Sequence, residues 1–335
     1  MVAQEETRTA PPLLEVENMS VIVKLTSSER VSAVDKVSFN VGVGETLGLV
    51  GESGAGKSLT AMALMRLHKT EVMDVTADRI NLDGRDIVRM NSREIRSIRG
   101  STIAMIFQDP LTALNPVLTV EAQLMESIRL HNDMSRGRAR QRALELLDMV
   151  QIPAAKSRLS EYSHRLSGGM RQRVMIAMAL AGNPKLILAD EPTTALDVTI
   201  SAQILDLLKE LQKDLGVGML FITHDLHAVR TIAHRVAVMY SGRIVETGDV
   251  STVFSKPKHP YTEGLLSARA HGSFVKSGHR LREIPGTVPA PTDRPQGCYF
   301  GPRCNRRSAE CEGRSPPLEY FGHTGIACFN PLQKG

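Results

Sequence analysis

The sequence predicts an α/β fold, in which a parallel sheet is covered by helices, and three observations lead to this prediction. Short apolar runs alternate with helical segments along the middle of the chain, as the strands of a parallel sheet do. These runs are 46–50, 103–107, 186–189 and 219–223. Before them, residues 13–25 and 33–41 alternate apolar and polar side chains, which predicts half-buried antiparallel strands. After residue 255 the prolines gather and the periodicity ends, so we place a boundary there.

Two helices and one turn are also visible as patterns. Apolar side chains recur at three- and four-residue spacing over residues 204–215 and again over 142–150, which predicts amphipathic helices. The stretch "MYSGRIVETGD" predicts a β-hairpin that turns at Ser241-Gly242. These elements extend the folded region without interruption to the boundary at residue 255.

Composition and charge limit the classes of protein to which the chain can belong. With 335 residues, 42% of them hydrophobic, it has the composition of a folded protein. A net charge of +5 is compatible with an anionic partner, although an ordinary solvated surface is the simpler explanation. No apolar run approaches the roughly 20 residues of a membrane-spanning helix, and "MVAQEETRTAPP" lacks the apolar core of a secretory signal. We therefore expect a cytoplasmic location.

The octapeptide "GESGAGKS" follows an apolar strand and opens a helical segment, which is the context of a phosphate-binding P-loop. Its glycines let backbone N–H groups face phosphate oxygens, and the helix N-terminus adds the positive end of its dipole. We expect Lys57 to reach the β- and γ-phosphates and Ser58 to supply a hydroxyl to Mg²⁺. The residues expected to hold the nucleotide in this loop are Gly51, Ser53, Gly54, Ala55, Gly56, Lys57, Ser58 and Leu59.

A second motif, the acidic stretch "LILADEP", completes the predicted site. An apolar strand delivers Asp190 and Glu191 to its C-terminal end, which is the edge where open α/β sheets bind ligands. We expect Asp190 to hold Mg²⁺ and Glu191 to act as the general base that polarises the attacking water.

A third motif, "RLSGGMRQRV", indicates the family. Its Leu-Ser-Gly-Gly-Met core resembles the signature sequence of the ATP-binding-cassette ATPases. The resemblance extends to Gln108 as a Q-loop, to "TTALD" (193–197) as a D-loop and to His224 as the switch histidine, all in the family's order. It implies a P-loop NTPase with a RecA-like core, an N-terminal antiparallel β subdomain and a helical subdomain that carries the signature.

What this resemblance implies for the site is a head-to-tail dimer, in which the signature of one subunit covers ATP on the P-loop of the other. Ser167, Gly168 and Gly169 would form the second anion site at a helix N-terminus. His224 would contact the γ-phosphate, and Gln108 would sense Mg²⁺ and the attacking water. The implied catalytic residues are Glu191, His224 and Gln108, and the implied Mg²⁺ ligands are Ser58, Gln108 and Asp190.

The predicted adenine site departs from the family pattern. Cassette ATPases usually stack an aromatic side chain on adenine, and by alignment that place falls near Val23, where "SVIVKL" offers no aromatic residue. Either a neighbouring apolar side chain packs against the base, or adenine is held loosely and specificity depends on the triphosphate.

Local features favour one branch of the family. "FQDPLTALNP" after Gln108, and "HPYTEGLL", "IPGTVP" and "GCYFGPRC" near the C-terminus, resemble the oligopeptide and dipeptide importers. That resemblance implies an ATP-hydrolysing motor at the cytoplasmic face of the inner membrane, with two permease subunits, a substrate-binding protein and a second, paralogous ATPase subunit as partners. The alternative is a soluble ATPase acting on nucleic acid or ribosomes. With no tryptophan, 4% aromatic residues and one dense basic run, "SRGRARQR", the chain does not favour a nucleic-acid partner.

All four cysteines lie in the last forty residues, at Cys298, Cys304, Cys311 and Cys328. Their spacings of five, six and sixteen residues differ from the C-x₂-C pairs of zinc sites, although four thiolates suit either zinc or an iron–sulfur cluster. Unligated buried cysteines are a further alternative. Because this Pro-, Gly- and Arg-rich segment cannot bury a core, and because the resemblance points the same way, we expect a [4Fe–4S] cluster, with Zn²⁺ as the alternative. We expect it to be structural and remote from ATP.

These observations predict the following domain organisation. Residues 1–12 form a polar tail, residues 13–255 form the nucleotide-binding domain with its helical subdomain at about 110–172, and residues 256–335 form a small irregular C-terminal domain that contains the cysteines.

Overall fold

The computed structural model describes residues 11–26, 29–68, 71–268 and 284–332. In chain order the strands are β1 (Leu14–Lys24), β2 (Arg30–Val41), β3 (Thr46–Val50), β4 (Met73–Thr76), β5 (Arg79–Leu82), β6 (Arg85–Asp86), β7 (Ile103–Ile106), β8 (Leu186–Asp190), β9 (Gly218–Thr223), β10 (Arg235–Tyr240), β11 (Arg243–Asp249), β12 (Glu319–Phe321) and β13 (Thr324–Ile326). The helices are α1 (Lys57–Leu64), α2 (Ser92–Ile98), α3 (Pro110–Ala113), α4 (Val120–His131), α5 (Arg136–Met149), α6 (Ala155–Arg158), α7 (Gly168–Leu180), α8 (Val198–Leu215), α9 (Leu226–Ile232), α10 (Val250–Ser255), α11 (Pro260–Ala268) and α12 (Glu310–Gly313).

The main sheet joins eight of the described strands in the order β12-β13-β11-β10-β3-β9-β8-β7. The five strands from β10 to β7 in this order are parallel to one another, whereas β11 is antiparallel to β10. Strands β3, β8 and β9 are buried along their whole length, which explains why their sequences are continuously apolar rather than alternating. The parallel sheet predicted from the four apolar runs is confirmed.

A second, antiparallel sheet packs on one side of the main sheet. Strands β1 and β2 pair along most of their length, and β4 and β5 pair with β1. Apolar side chains of this sheet, such as Leu14 and Ile80, share one core with Leu47 and Ile222 of the main sheet. The alternation in residues 13–25 and 33–41 arises because only one face of each strand is covered.

Helices cover the other side of the main sheet and form a second core. Phe221 of β9 and Ile106 of β7 pack there with Leu146 of α5 and Leu208 of α8. Local capping sets the helix ends: Asp197 accepts the backbone N–H of Ile200 at the start of α8. The two amphipathic helices predicted from the sequence are therefore confirmed.

The C-terminal region is irregular, as predicted, but it is continuous with the main sheet. Strand β13 pairs with β11, and β12 pairs with β13, so a short hairpin extends the sheet beyond its parallel part. The turn between β10 and β11 lies at Ser241-Gly242, where both residues have positive φ, as a two-residue hairpin turn requires. Among the described residues, none of the helices combines the length and the apolar character needed to cross a membrane.

Candidate functional site

The P-loop wraps tightly between β3 and α1, and glycines make this possible. Gly54 and Gly56 have φ values of +79° and +99°, in the left-handed region that glycine adopts without strain. A Cβ on Gly51 would collide with the carbonyl oxygen of Met239. The loop thus presents backbone N–H groups just before α1, where the helix dipole adds positive potential.

A cavity of about 630 Å³ opens over this loop. Its lining consists of Gly51 to Leu59 together with Gln108, Glu191, Thr194, His224 and Leu265. The Nζ of Lys57 donates to the carbonyl oxygens of Gly51 and Glu52 at 2.9 and 3.0 Å, so the ammonium group is held against the loop. The P-loop residues and the predicted catalytic residues are therefore brought together at the carboxyl edge of the main sheet.

Glu191 is at the centre of a polar network in this cavity. Its carboxylate lies 3.1 Å from Nδ1 of His224, and accepts hydrogen bonds from Nε2 of Gln108 at 3.2 Å and from Oγ1 of Thr194 at 2.8 Å. Burial works to raise the pKa of Glu191, but the contacts with His224 and Thr194 outweigh it and lower the pKa below its usual value. The carboxylate is therefore ionised and suited to accept a proton.

The backbone at Glu191 is unusual. Its φ is +45°, a left-handed conformation that costs energy for a residue with a side chain and is found at functional sites. Its N–H donates to the carbonyl oxygen of Ile222 at 2.8 Å, which fixes the turn after β8 against β9. This turn aims the carboxylate into the cavity while Asp190 stays within the strand.

Asp190 and Ser58 form the predicted Mg²⁺ position. Oγ of Ser58 donates to Oδ1 of Asp190 at 2.9 Å. Burial raises the pKa of Asp190, and the neighbouring Glu191 raises it further, so a cation at this position would relieve the cost of burying the charge. Mg²⁺ is commonly bound by one or two carboxylates plus substrate phosphates, and this pair fits that chemistry. Gln108, the third predicted ligand, contacts Glu191 instead.

The signature residues lie apart from this cavity. Oγ of Ser167 accepts the N–H of Met170 at 3.3 Å and caps α7, which Gly168 and Gly169 begin. None of the three lines the phosphate cavity over the P-loop. A Cβ on Gly169 would lie 2.6 Å from Cγ2 of Ile200, so glycine is needed there for close packing.

Comparison with known proteins agrees with this geometry. Residues 34–194 match the family model described as ABC transporter, and residues 245–311 match the model described as oligopeptide/dipeptide transporter, C-terminal region. The dipeptide transport ATP-binding protein DppD of Escherichia coli (strain K12) is 49% identical over 288 residues, which are 85% of this chain and 86% of that protein. The chain belongs to the ATP-binding-cassette ATPases.

Other cassette proteins show how far the similarity extends. A peptide import ATP-binding protein of Brucella abortus (strain 2308) is 49% identical over 317 residues, covering 95% of this chain and 94% of that protein. The dimeric cassette MJ0796, solved in a post-hydrolysis state with ADP and Pi, superposes with a TM-score of 0.62 at 30% identity, covering 71% of this chain and 98% of that one. The predicted family, fold and ATPase activity are confirmed.

Sequence reasoning missed two residues of this cassette site. The sequence places Thr194 only in the D-loop motif, yet its hydroxyl donates to Glu191. Leu265 enters the cavity from α11, more than 200 positions after the P-loop, and no local pattern indicates this placement. Val23, at the predicted adenine position, pairs with Val31 across β1 and β2 and packs against the core between the sheets.

The four cysteines come together but not as a formed metal site. All four are free thiols, and burial together with the other three thiols raises the pKa of Cys328 to about 11. No group of three or more His, Cys, Asp or Glu side chains in the described ranges is arranged to hold a metal ion. The donor set suits a cluster chemically, but the arrangement does not by itself support one.

The cysteine segment, residues 298–328, touches the P-loop through one side chain, although none of its cysteines lines the phosphate cavity, so the expectation that the cluster is remote from ATP stays a prediction. Arg303, which directly precedes Cys304, forms an ion pair with Glu52 of the P-loop at 2.7 Å. The C-terminal region reaches this loop because Phe300 packs on Tyr240 at the end of β10, and β10 is the neighbour of β3 in the main sheet.

Proposed function

We propose that this chain is the ATP-hydrolysing motor subunit of a membrane importer for peptides, in which ATP-driven closure of an ATPase dimer acts on permease subunits. The observation that carries the proposal is the C-terminal match to the oligopeptide/dipeptide transporter model, beside a cassette site complete in this chain except for the signature. The relatives named as peptide import and dipeptide transport proteins support transport rather than the nucleic-acid alternative.

The proposed chemistry assigns one role to each residue of the cavity. The P-loop N–H groups and Lys57 bind the β- and γ-phosphates of ATP. Ser58, Asp190 and Gln108 would hold Mg²⁺, which would neutralise charge on the phosphates. Glu191 takes a proton from the attacking water while the oxygen of that water bonds to the γ-phosphorus. The bond between the γ-phosphorus and the bridging oxygen of ADP breaks, so that ADP and phosphate leave. His224 supports Glu191 and the γ-phosphate.

The signature supports a proposed dimer. Ser167 and the N–H groups of Gly168 and Gly169 lie at the N-terminus of a 13-residue helix but outside the cavity of their own chain. They can serve ATP only if a second chain presents its P-loop to them. We propose that the second chain is a paralogue and that the active unit is a heterodimer.

Exposed apolar side chains near Gln108 support a permease contact. Leu111 on α3 and Val117 after it are 59% and 77% exposed, close in sequence to the catalytic glutamine. A partner that buries them would remove apolar surface from water. We propose that two permease subunits dock here, that a substrate-binding protein delivers the peptide, and that the chain lies peripherally at the cytoplasmic face of the inner membrane.

The domain division follows the same proposal. Residues 13–255 form the nucleotide-binding domain, with residues of about 110–172 as its helical subdomain, and residues 256–335 form the cysteine-containing C-terminal domain. We further propose a [4Fe–4S] cluster on Cys298, Cys304, Cys311 and Cys328, with Zn²⁺ as the alternative. Its support is the donor set of four thiols in one segment, in which the N–H of Cys298 donates to the carbonyl oxygen of Cys311 at 2.8 Å.

Purification of the complete assembly tests the function. A tag on this chain should retain two permeases, a second ATPase and a peptide-loaded binding protein, each identified by mass spectrometry. Retention of ribosomal proteins or nucleic acid, without permeases, would contradict the proposal.

A further inference from the structure

Arg303 of the cysteine segment forms an ion pair with Glu52 of the P-loop. Nη1 of Arg303 donates to Oε2 of Glu52 at 2.7 Å, and Nη2 donates to Oε1 at 3.2 Å. The pair is therefore bidentate, the strongest geometry available to an arginine and a carboxylate. The side chain of Arg303 is only 7% exposed, so solvent screens this pair less than a surface pair.

The remaining donors of Arg303 are also used. Its Nε donates to the carbonyl oxygen of Pro285 at 2.9 Å, and its guanidinium carbon lies 5.7 Å from the ring centroid of Tyr240. Tyr261 holds the same loop from α11, since its hydroxyl oxygen accepts the N–H of Glu52 at 3.0 Å. The carboxylate and the backbone N–H of Glu52 are thus held by groups that lie outside the P-loop.

The position of Glu52 gives these contacts an electrostatic consequence. It lies in the anion-binding loop, and Lys57 donates to its carbonyl oxygen. A carboxylate without a partner at this place would repel the triphosphate. Arg303 neutralises that charge and keeps the side chain turned towards the C-terminal region.

Arg303 is itself held by the backbone of the cysteine segment. The N–H of Gly301 donates to the carbonyl oxygen of Cys298, and that of Cys304 donates to Gly301, so two cysteines flank the tight turn that contains Arg303. Phe300 anchors this turn by packing against the rings of Tyr240 and Tyr261, with centroid distances of 5.2 and 5.4 Å.

We propose that Arg303 is a positioning residue for ATP binding, which holds Glu52 of the P-loop from the cysteine segment, so that disruption of this segment weakens ATP binding. The inference rests on the proposed ATP site, but it depends neither on the cargo nor on the identity of any metal at the cysteines.

The test measures the Kd for Mg-ATP on the full-length chain by fluorescence with trinitrophenyl-ATP and competition with ATP. Arg303→Gln should bind about tenfold more weakly than wild type, as expected when a buried charge-assisted contact is lost. Arg303→Lys should recover part of the affinity. Arg306→Gln is the matched control, because Arg306 belongs to the same segment but donates to the carbonyl oxygens of Asn330 and Pro331.

Two further variants separate positioning from general destabilisation. Arg303→Gln combined with Glu52→Gln removes both charges and should bind ATP more tightly than Arg303→Gln alone, whereas a merely structural role would make the double variant worse. Phe300→Ala, which removes the ring that anchors the turn, should weaken ATP binding in the wild-type background and add little to Arg303→Gln. Melting temperatures establish which variants are folded. If Arg303→Gln is unfolded, Arg303→Lys replaces it in the comparison of Kd values.

Each result bears on one claim only. If wild type and Arg306→Gln fail to bind ATP, the proposed ATP site is wrong. If they bind and folded Arg303→Gln or Arg303→Lys binds equally well, the positioning role is overturned. If folded Phe300→Ala leaves the Kd unchanged, the link to the cysteine segment is overturned.

Discussion

His224 and Glu191 face each other across the phosphate cavity, with Nδ1 of the histidine 3.1 Å from Oε1 of the glutamate. They arrive on different strands, Glu191 after β8 and His224 after β9, and these strands are neighbours in the sheet. The contact lowers the pKa of Glu191 against the effect of burial. A general base is thereby kept ionised beside the place where the γ-phosphate is expected.

Replacement of Glu191 tests its role as the base. Glu191→Gln keeps the shape of the side chain but removes the charge and one acceptor oxygen, so ATP should still bind while hydrolysis falls by about 10²- to 10⁴-fold. Turnover is measured as phosphate release and binding as Kd. Glu210→Gln, on the outer face of α8, is the control. Turnover of Glu191→Gln near the wild-type rate would remove Glu191 from the mechanism.

Mixing experiments test the contribution of the signature across an interface. Ser167→Arg should abolish hydrolysis in an assembly although Ser167 lies outside the cavity of its own chain. Ser135→Arg is a matched control, because Ser135 caps α5 in the same way. A mixture of Lys57→Ala and Ser167→Arg chains should recover activity only if this chain pairs with itself. We expect recovery to require the second ATPase subunit instead, and full activity of a monomer would contradict the dimer.

Buried His259 predicts a loss of stability in acid. Burial lowers the pKa of His259 to about 3, whereas an unfolded histidine titrates near 6.5. Because the unfolded chain binds the proton more readily, stability falls as pH decreases from about 6.5 towards 3, by at most about 1.4 kcal/mol per pH unit.

The measurement is the free energy of unfolding against pH for wild type, His259→Gln and the exposed control His227→Gln. His259→Gln should flatten the slope, and His227→Gln should not. Burial raises the pKa of neighbouring Glu246, which acts in the opposite direction, so the difference between variants isolates the histidine. Equal slopes in all three proteins would contradict the assignment.

Metal analysis tests the cysteine cluster. Protein purified without oxygen should be brown and contain iron and acid-labile sulfide in nearly equal amounts, and Cys304→Ser should bleach it and expose the segment to protease. Colourless protein with one zinc per chain would replace the cluster by a zinc site. No metal at all would leave four unligated thiols.

Much of the fold and of the phosphate site could be predicted from the sequence because the determining residues are adjacent in the chain. A P-loop after an apolar strand, or Glu191 after β8, carries its context with it. The contact between Arg303 and Glu52 joins residues 251 positions apart, and nothing in either local sequence indicates it. The hairpin β12–β13 was not predicted because three-residue strands give too few positions for an alternating pattern.

The most direct test of the account is ATP hydrolysis by the complete assembly in proteoliposomes, with and without a peptide-loaded binding protein. We predict that the loaded binding protein stimulates hydrolysis and that labelled peptide accumulates inside vesicles in which the assembly transports inwards. Glu191→Gln in this chain should reduce both the hydrolysis and the accumulation of peptide. The proposal that this chain is the motor of a peptide importer would be contradicted by a different result. In that result the rate of ATP hydrolysis is the same with and without the binding protein and the permeases, but rises when nucleic acid is added.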